Sequence, residues 1–280
     1  MRLYKYLHPN RIDVLRKLRI RFSSPNVLND PFELKPVLTG LASNSVLLDH
    51  LHEGLPELLV AEYDKLPIEV RSVISLEQFQ AKIQEFIPNA EQTMLIMAEM
   101  ATPVIQQQLG EKVCDAIGIL CLTTSPDNLL MWAHYADAHR GFLIEFDSES
   151  SFFHQQRSEN DEFGCLREVR YQQDRPNIFM SEIEAIHVFL TKGLVWRYEA
   201  EWRMLQPLSS AEAVLDDESG KVHLFEFPGH AIKSLILGSR MSDSNKRAIQ
   251  EATQMNSDLN HVSIRHAAIS QNEYKIIIPD

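Results

Sequence analysis

Apolar and polar positions change their spacing twice along the chain, which predicts three parts. Near the start, the alternation in Leu3–Leu7 predicts a short strand, Asn10 can cap the helix that follows, and Ile20–Ser23 predicts a second strand. From about 41 to 115 the apolar residues recur at helical spacing. The remainder returns to short apolar runs with few helices between them. This order predicts one α+β domain over 1–280, with a mixed, mainly antiparallel sheet and a helical insertion or subdomain at 41–115.

The helical block contains its own start and stop signals. Ser75 followed by Gln78 has the spacing of a capping box, and Pro88 and Pro103 are expected to interrupt helices. Methionines recur at helical spacing, and methionine usually fills gaps in a core. We therefore expect three of them to be buried: Met94, Met97 and Met100.

The segment Gly118–Asp147 carries the densest group of polar and aromatic side chains. An apolar run at Ile119–Leu122 predicts a buried strand, Asp127 is expected to cap a short helix, and Phe142–Phe146 predicts the next strand. The pattern is that of a βαβ-like unit. Polar groups at strand ends are typical of ligand sites in α/β and α+β enzymes.

The pattern of the C-terminal part predicts strands with interspersed helices. Leu166–Tyr171 predicts a strand, and residues 181–193 predict a helix that Gly193 ends. An aromatic and charged turn follows. The next strand alternates, with Glu201 and Arg203 on one face.

Composition narrows the classes of function. The 280 residues carry a net charge of -12, which disfavours a broad hold on nucleic acid because phosphate binding requires a basic face. The three cysteines lack CxxC spacing, so they predict neither a disulfide framework nor a thiolate zinc site. No apolar stretch of about twenty residues occurs, so neither a membrane span nor membrane partners are predicted. Together these features predict a cytoplasmic protein.

Two acidic residues one position apart are the clearest candidate chemistry. Glu199 and Glu201 would share a face of a strand. Surface ion pairing is the ordinary interpretation, and it contributes little stability. The alternative is a site in which one carboxylate holds a sugar hydroxyl and stabilises positive charge as a glycosidic bond breaks.

Other candidate sites are weaker. His134 and His139 are five residues apart and face different sides of a helix, so no metal is expected. Asn29, Asp30 and Glu33 lie in a loop that is either held by its own side-chain hydrogen bonds or in contact with a ligand. Walker, GxSxG and GxGxxG signatures are missing from the sequence.

The combination of these segments resembles a large bacterial family known as domain of unknown function 2971. The matching pieces are LYKYL, RFSSPNVLNDPFE, CLTTSPDNLLMWAHYADAHRGFLIEFD, VRY and KGLVWRYEAEWRML. They extend from about Leu3 to Leu205, with the helical block as a variable middle. The resemblance implies a bacterial protein and, by itself, no activity.

More distantly, the order of these segments resembles the ADP-ribosyltransferase plan. That resemblance implies NAD as substrate and Glu201 as the catalytic carboxylate, with Glu199 before it. Lys5 would stand where that family has arginine or histidine, and it cannot reproduce their contacts, so Arg21 is considered as a substitute. The remaining residues implied to contact the nucleotide come from two segments: Thr123, Thr124, Ser125, Trp132 and Tyr135.

Two functions of different class follow. The first is an enzyme that acts on NAD or a related nucleotide and serves as an effector in phage defence. The sequence does not identify its acceptor. The second is a non-catalytic protein-binding module whose polar residues form a structural network. An enzyme should arrange its polar residues around one open cleft, whereas a structural network should bury them in closed salt bridges. The positions that distinguish the two functions are those of His134, Tyr135, Arg140, Glu199 and Glu201. A nuclease is disfavoured by the charge.

Overall fold

The computed structural model of the chain describes residues 1–217 and 220–279. Within these ranges the strands are β1 (Arg2–Leu7), β2 (Arg19–Phe22), β3 (Val37–Gly40), β4 (Ile117–Thr123), β5 (Phe142–Asp147), β6 (Leu166–Glu168), β7 (Arg170–Gln172), β8 (Asn177–Phe179), β9 (Thr191–Gly193), β10 (Glu201–Pro207), β11 (Ala213–Asp217), β12 (Gly220–Glu226), β13 (Ile232–Leu237), β14 (Ser263–His266), β15 (Ala268–Ile269) and β16 (Ile276–Ile277). The α-helices are α1 (Asp13–Lys17), α2 (Asn44–Asp64), α3 (Ile68–Arg71), α4 (Leu76–Gln84), α5 (Ile87–Ala116), α6 (Leu129–Tyr135), α7 (Ala185–Phe189) and α8 (Asp243–Met255).

Seven of the described strands form the main sheet, in the order β14-β13-β5-β1-β4-β10-β6. The pair β13 and β14 is parallel, and the other neighbours are antiparallel. The sheet is therefore mixed and mainly antiparallel, and the predicted α+β class is confirmed. No helix in the described ranges is both long and apolar enough to cross a lipid bilayer.

The predicted βαβ-like unit is present, but another strand divides it. Strands β4 and β5 both run antiparallel to β1, which lies between them, so they run parallel to each other. Helix α6 connects them. The N-terminal strand thus occupies the centre of the sheet, beside the end of β4 where the polar residues begin.

Alternation along β1 separates two apolar layers. Leu3 and Leu7 lie in the larger cluster on one face, whereas Tyr4 and Tyr6 join Trp132 in a smaller cluster on the other. The rings of Tyr6 and Trp132 meet edge to face, with centroids 5.3 Å apart. This period of two is what a strand buried on both faces requires.

Two compact units divide the chain. The first comprises residues 1–35, 112–174 and 186–280, and contains the main sheet. The second comprises 36–111 and 175–185, and it contains α2, α3, α4 and most of α5 together with the parallel pair β3 and β8. We call the second one the helical unit. The prediction of a single domain with an insertion remains a prediction.

The capping and proline signals in the helical unit predict part of its helix boundaries. The capping box of Ser75 and Gln78 is present, which confirms that prediction. The prediction that prolines interrupt the helices is confirmed at Pro88, because the helical run breaks between Gln84 of α4 and Ile87 of α5, and is wrong at Pro103. Pro88 is the second residue of α5, where its missing N–H has no helical partner, and the helix of 30 residues continues through Pro103. The loss of a single hydrogen bond does not end so long a helix.

Two further boundaries differ from the prediction. The cap of α6 is Asn128 and not Asp127, because the Asn128 side chain accepts hydrogen bonds from the backbone of Leu130 and Met131. The helix predicted at 181–193 occupies only Ala185–Phe189. The residues after it form β9, because they pair in parallel with β7, a partner that helical periodicity does not reveal.

Candidate functional site

The end of β4 and the start of β10 meet beside β1 in the main sheet. Thr123, the last residue of β4, lies opposite Tyr4 of β1 on one side and Glu201 of β10 on the other. Because β10 begins where β4 ends, side chains from distant parts of the sequence come together here. The Thr123 hydroxyl donates a hydrogen bond to the backbone oxygen of Glu199 at 2.5 Å, which ties the two strands together.

A cavity opens where β1 and β4 separate. These strands are in register only at Tyr4 and Thr123, whereas β1 follows β5 along all six of its residues. Lys5 spans the gap, and its Nζ donates to the backbone oxygen of Cys121 at 2.8 Å. Burial lowers the pKa of Lys5, and the charges of Arg11 and Arg21 act in the same direction. The cavity has a volume of about 230 Å³.

Glu199 and Glu201 do not share the face of one strand, which corrects the sequence interpretation. Glu199 ends a 3₁₀ turn, Glu201 begins β10, and Ala200 between them has a left-handed backbone with φ of 43°. This conformation is uncommon for a residue with a side chain. It reverses the chain so that both carboxylates reach Lys192, with N–O distances of 2.6 and 3.0 Å.

Lys192 is the central cation of the cluster. It lies on β9, is buried, and also contacts Glu33 at 3.8 Å and the ring of Trp196 at 5.1 Å. Burial alone would lower the pKa of Lys192, but the charges of Glu201 and Glu199 outweigh it and the pKa is raised. The lysine is therefore held in its charged form.

Arg203 closes the inner side of the cluster. It has no exposed surface, and its guanidinium binds both carboxylate oxygens of Glu201 at 2.8 and 3.0 Å. It also donates to the backbone oxygen of Phe189 at 2.6 Å and forms an ion pair with Glu33. Burial lowers the pKa of Arg203 to about 9, so it is still charged at neutral pH. We call Glu33, Lys192, Glu199, Glu201 and Arg203 the buried charge cluster.

Carboxylates outnumber cations in this cluster. Three glutamates face Lys192 and Arg203, which leaves one negative charge in excess when all are ionised. Burial raises the pKa of Glu201, and the neighbouring Glu199 raises it further against the opposing effect of Lys192. Such a cluster favours an electron-poor or cationic group beside it.

Tyr135 connects the cluster to the accessible surface. Its hydroxyl donates to Glu199 Oε1 at 2.6 Å and accepts a hydrogen bond from Asn29 Nδ2, also at 2.6 Å. Tyr135 is half-buried and lines the cavity. Burial raises the pKa of the Tyr135 phenol, and the bond to Glu199 adds to this effect, so the hydroxyl remains protonated.

Several residues predicted from the sequence line this cavity together. They come from five segments of the chain and are Lys5, Asn29, Thr123, Tyr135, Glu199 and Glu201. Asp30 lies beside them in sequence but is buried, and its carboxylate accepts the N–H of Phe32, so it holds the loop. The loop is thus both held by its own bonds, through Asp30, and turned to the cavity, through Asn29.

Other predicted residues lie elsewhere. Trp132 is fully buried, and its indole N–H donates to the backbone oxygen of Pro126 at 2.8 Å, so its ring packs in the core. Arg140 is exposed and paired with Asp137 at 2.9 Å. The remaining four are not among the side chains that line the cavity: Arg21, Thr124, Ser125 and His134.

The test posed by the sequence therefore has a mixed outcome. Tyr135, Glu199 and Glu201 share one site, whereas His134 and Arg140 do not join them. The ion pairs around Glu201 are closed and buried, as in a structural network. The cavity beside Glu199 and Tyr135 is accessible, as in a ligand site.

The sequence places Glu33 in the same loop as Asn29 and Asp30, and Lys192 and Arg203 near the glutamate pair, but it does not predict that the three residues join that pair in one cluster. The segment that contains Lys192 is predicted to be a helix, but it forms strand β9. Arg203 had one usable signal, because it alternates with Glu201 in a strand that is otherwise apolar on that face. In the described part of the chain, no group of three or more histidine, cysteine, aspartate or glutamate side chains is arranged to hold a metal ion.

Fold and site together define an α+β protein with a small polar cavity at the strand ends of its main sheet, beside a buried charge cluster. Residues 131–204 match the family described as "Protein of unknown function (DUF2971)", which confirms the family resemblance expected from the sequence. The matched segment includes Tyr135, Lys192, Glu199, Glu201 and Arg203. No curated protein and no solved structure matches the chain.

Proposed function

We propose that the protein is an enzyme of the ADP-ribosyltransferase type, which binds the nicotinamide riboside part of NAD or a related nucleotide in this cavity. The observation that carries the proposal is the Tyr135–Glu199 hydrogen bond at the cavity wall, in a cluster with an excess of negative charge. A volume of about 230 Å³ accommodates one end of a dinucleotide but not the whole molecule. The rest of the nucleotide would therefore lie outside it.

Glu199 is the better placed of the two candidate carboxylates. Both oxygens of Glu201 are already bound by Arg203, and Lys192 binds one of them as well. Each oxygen of Glu199 has one partner, namely Tyr135 or Lys192, so lone pairs remain for a ligand hydroxyl. The proposal assigns the contact with the ribose 2′-hydroxyl to Glu199 and a positioning role to Glu201.

The reaction would follow a dissociative course. The bond between ribose C1′ and the nicotinamide nitrogen breaks, and its electron pair leaves with nicotinamide. The oxocarbenium ion at C1′ is stabilised by the fixed charge of Glu199. An acceptor oxygen or nitrogen then bonds to C1′ and loses its proton. With water as acceptor, the products are nicotinamide, ADP-ribose and a proton.

Lys5 replaces the arginine or histidine of the ADP-ribosyltransferase plan. Its Nζ is held by the backbone of Cys121 at the cavity wall. A lysine can donate hydrogen bonds to a ribose hydroxyl or a carboxamide oxygen, but not as a rigid fork. We assign Lys5 a binding role of this kind.

The test is release of nicotinamide from NAD, measured by chromatography for the wild type, Glu199→Gln and Glu149→Gln. Glu149 is an exposed glutamate on the same unit and serves as the control. Loss of an electrostatic contact made in the transition state lowers turnover by about 100-fold or more. We expect that loss for Glu199→Gln only. Wild-type protein that releases no nicotinamide, or Glu199→Gln with an unchanged rate, would contradict the proposal.

Because Glu199→Gln leaves Lys192 with one fewer charged partner, its folding is checked by urea unfolding. Should it not fold, Tyr135→Phe replaces it, since that change removes only the hydroxyl that contacts Glu199.

The second candidate is a non-catalytic binding module. The closed ion pairs of Glu201 and Arg203 favour it, since a network with saturated oxygens stabilises a fold without contacting a ligand. In that case the cluster serves only to hold β9 and β10 against each other. A wild-type protein with no nucleotide binding and no turnover would favour this function.

A further inference from the structure

An apolar groove lies on the helical unit, independent of the cavity described above. Its walls include Leu41, Leu47 of α2, and Phe86, Met94, Met97 and Ala101 on or next to α5. Its volume is about 720 Å³. The groove is therefore three times as large as the cavity beside Glu199.

Large apolar side chains of this region are exposed. Met97 has 64% of its surface exposed, Phe86 54%, and Met100, on the same helix, 70%. The prediction that the methionines fill a core is wrong for Met97 and Met100, whereas Met94 is half-buried. Monomeric soluble proteins rarely expose contiguous apolar surface of this kind without a partner.

The helical repeat of α5 explains why one face is free of charge. At 100° per residue, Ala90, Met94, Met97 and Ala101 fall on one side of the helix. Glu91 and Glu99 fall outside that stripe. The groove thus has an uncharged floor along about 16 Å of helix, which corresponds to about three turns.

The helical unit that carries the groove is strongly acidic. Residues 36–111 contain eleven aspartate and glutamate residues and three lysine and arginine residues. These residues contribute eight of the twelve net negative charges of the chain. A ligand of this surface therefore meets an apolar floor in a negative field.

We propose that this groove binds a basic amphipathic helix of a partner protein. The apolar face of such a helix fills a groove of this length, and its lysines or arginines complement the acidic surroundings. Methionine side chains adapt to different apolar partners because they are unbranched and polarisable. A second copy of this chain would bring the same negative charge, and an anionic membrane would be repelled for the same reason.

The probe is a fluorescein-labelled peptide of about 18 residues with leucine and lysine at helical spacing, titrated with full-length protein. Two variants, Met97→Glu and Val73→Glu, each add one negative charge to an exposed apolar position of the helical unit. Val73 is 79% exposed, does not line the groove and serves as the matched control. A second peptide carries glutamate in place of every lysine.

We expect the basic peptide to bind the wild type and Val73→Glu with similar affinity, and Met97→Glu at least about tenfold more weakly. The design separates docking from charge attraction, because attraction alone would make Met97→Glu bind as well as Val73→Glu. Equal binding to both variants, equal binding of the acidic peptide, or no binding of the basic peptide would each overturn the proposal. A dimer in sedimentation experiments that Met97→Glu dissociates would also overturn it, since the occupant would then be a second copy.

Discussion

The hydroxyl of Tyr135 donates a hydrogen bond of 2.6 Å to the carboxylate of Glu199, although 64 residues separate them in the sequence. The bond joins the end of helix α6 to the turn before β10, and Asn29 completes it from a third segment. The phenol is the point at which a buried charge cluster meets an accessible cavity. Removal of the Tyr135 hydroxyl should therefore affect ligand binding more than the stability of the fold.

The first prediction concerns Lys192, which holds together carboxylates that would otherwise repel each other. Lys192→Met should lower the free energy of unfolding by about 3 to 5 kcal/mol, because buried glutamates lose their cation. Lys233→Met removes a lysine that is 50% exposed and paired with Asp147 at 3.1 Å. This change should alter the free energy of unfolding by about 1 kcal/mol or less. Urea unfolding of both variants checks this. Equal effects would show that the cluster does not depend on Lys192.

The second prediction is a loss of stability at alkaline pH. The pKa of Lys192 is raised in the folded protein above the ordinary value of 10.5. Its contribution to stability is therefore complete below pH 10.5 and disappears as the pH rises through the folded-state pKa. Burial raises the pKa of Tyr6 and Tyr135, which adds a loss of the same sign, whereas the lowered pKa values of Lys5 and Arg203 contribute a change of the opposite sign.

The Lys192 variant separates these contributions. Between about pH 9 and 12 the stability of the wild type and Lys233→Met should decrease relative to that of Lys192→Met, as followed by urea unfolding at each pH, because the other titrating groups are common to all three proteins. Parallel curves for all three proteins would contradict an assignment of this loss to Lys192.

The third prediction separates core packing from ligand contact at Trp132. The indole is fully buried and bonded to Pro126, so Trp132→Phe should destabilise the fold by about 1 to 3 kcal/mol. Any shift of the melting temperature caused by NAD should remain in this variant. A stable Trp132→Phe protein that no longer responds to NAD would instead place the indole in contact with the ligand.

The fourth prediction concerns the close approach of the backbone at Gly141, just before β5. A Cβ atom there would lie 2.0 Å from the backbone oxygen of Leu7, so Gly141→Ala should prevent folding or destabilise it strongly. Gly54 lies inside α2 with nothing within 4 Å of such an atom. Gly54→Ala should be stabilising by about 0.5 to 1 kcal/mol because alanine favours a helix. Thermal melting compares the two, and a tolerated Gly141→Ala would contradict the packing of β5 on β1.

The sequence was sufficient for features that depend on local periodicity. The alternation around Glu201 and Arg203 predicted β10, and the Ser75 and Gln78 spacing predicted the start of α4. Both signals repeat within a few residues, so no distant partner is needed to interpret them.

Features that depend on distant partners could not be predicted. Lys192 lies on a strand because β7 pairs with it, and β7 is twenty residues away. Ala200 adopts a left-handed conformation that its side chain gives no reason to expect. Likewise, spacing alone shows that Met97 lies on an apolar face but not whether another segment covers that face.

The central claim is that Tyr135 and Glu199 form a nucleotide site, and thermal unfolding with NAD and ADP-ribose tests it most directly. The proteins are the wild type, Tyr135→Phe and Tyr171→Phe; Tyr171 bonds the backbone of Glu201 at 2.8 Å but does not line the cavity. A ligand at a hundred times its Kd stabilises the folded state by about 2.7 kcal/mol. We predict a concentration-dependent rise in the melting temperature for the wild type and Tyr171→Phe, and a much smaller rise for Tyr135→Phe. No shift in the wild type with either nucleotide, or an equal shift in all three proteins, would contradict the claim.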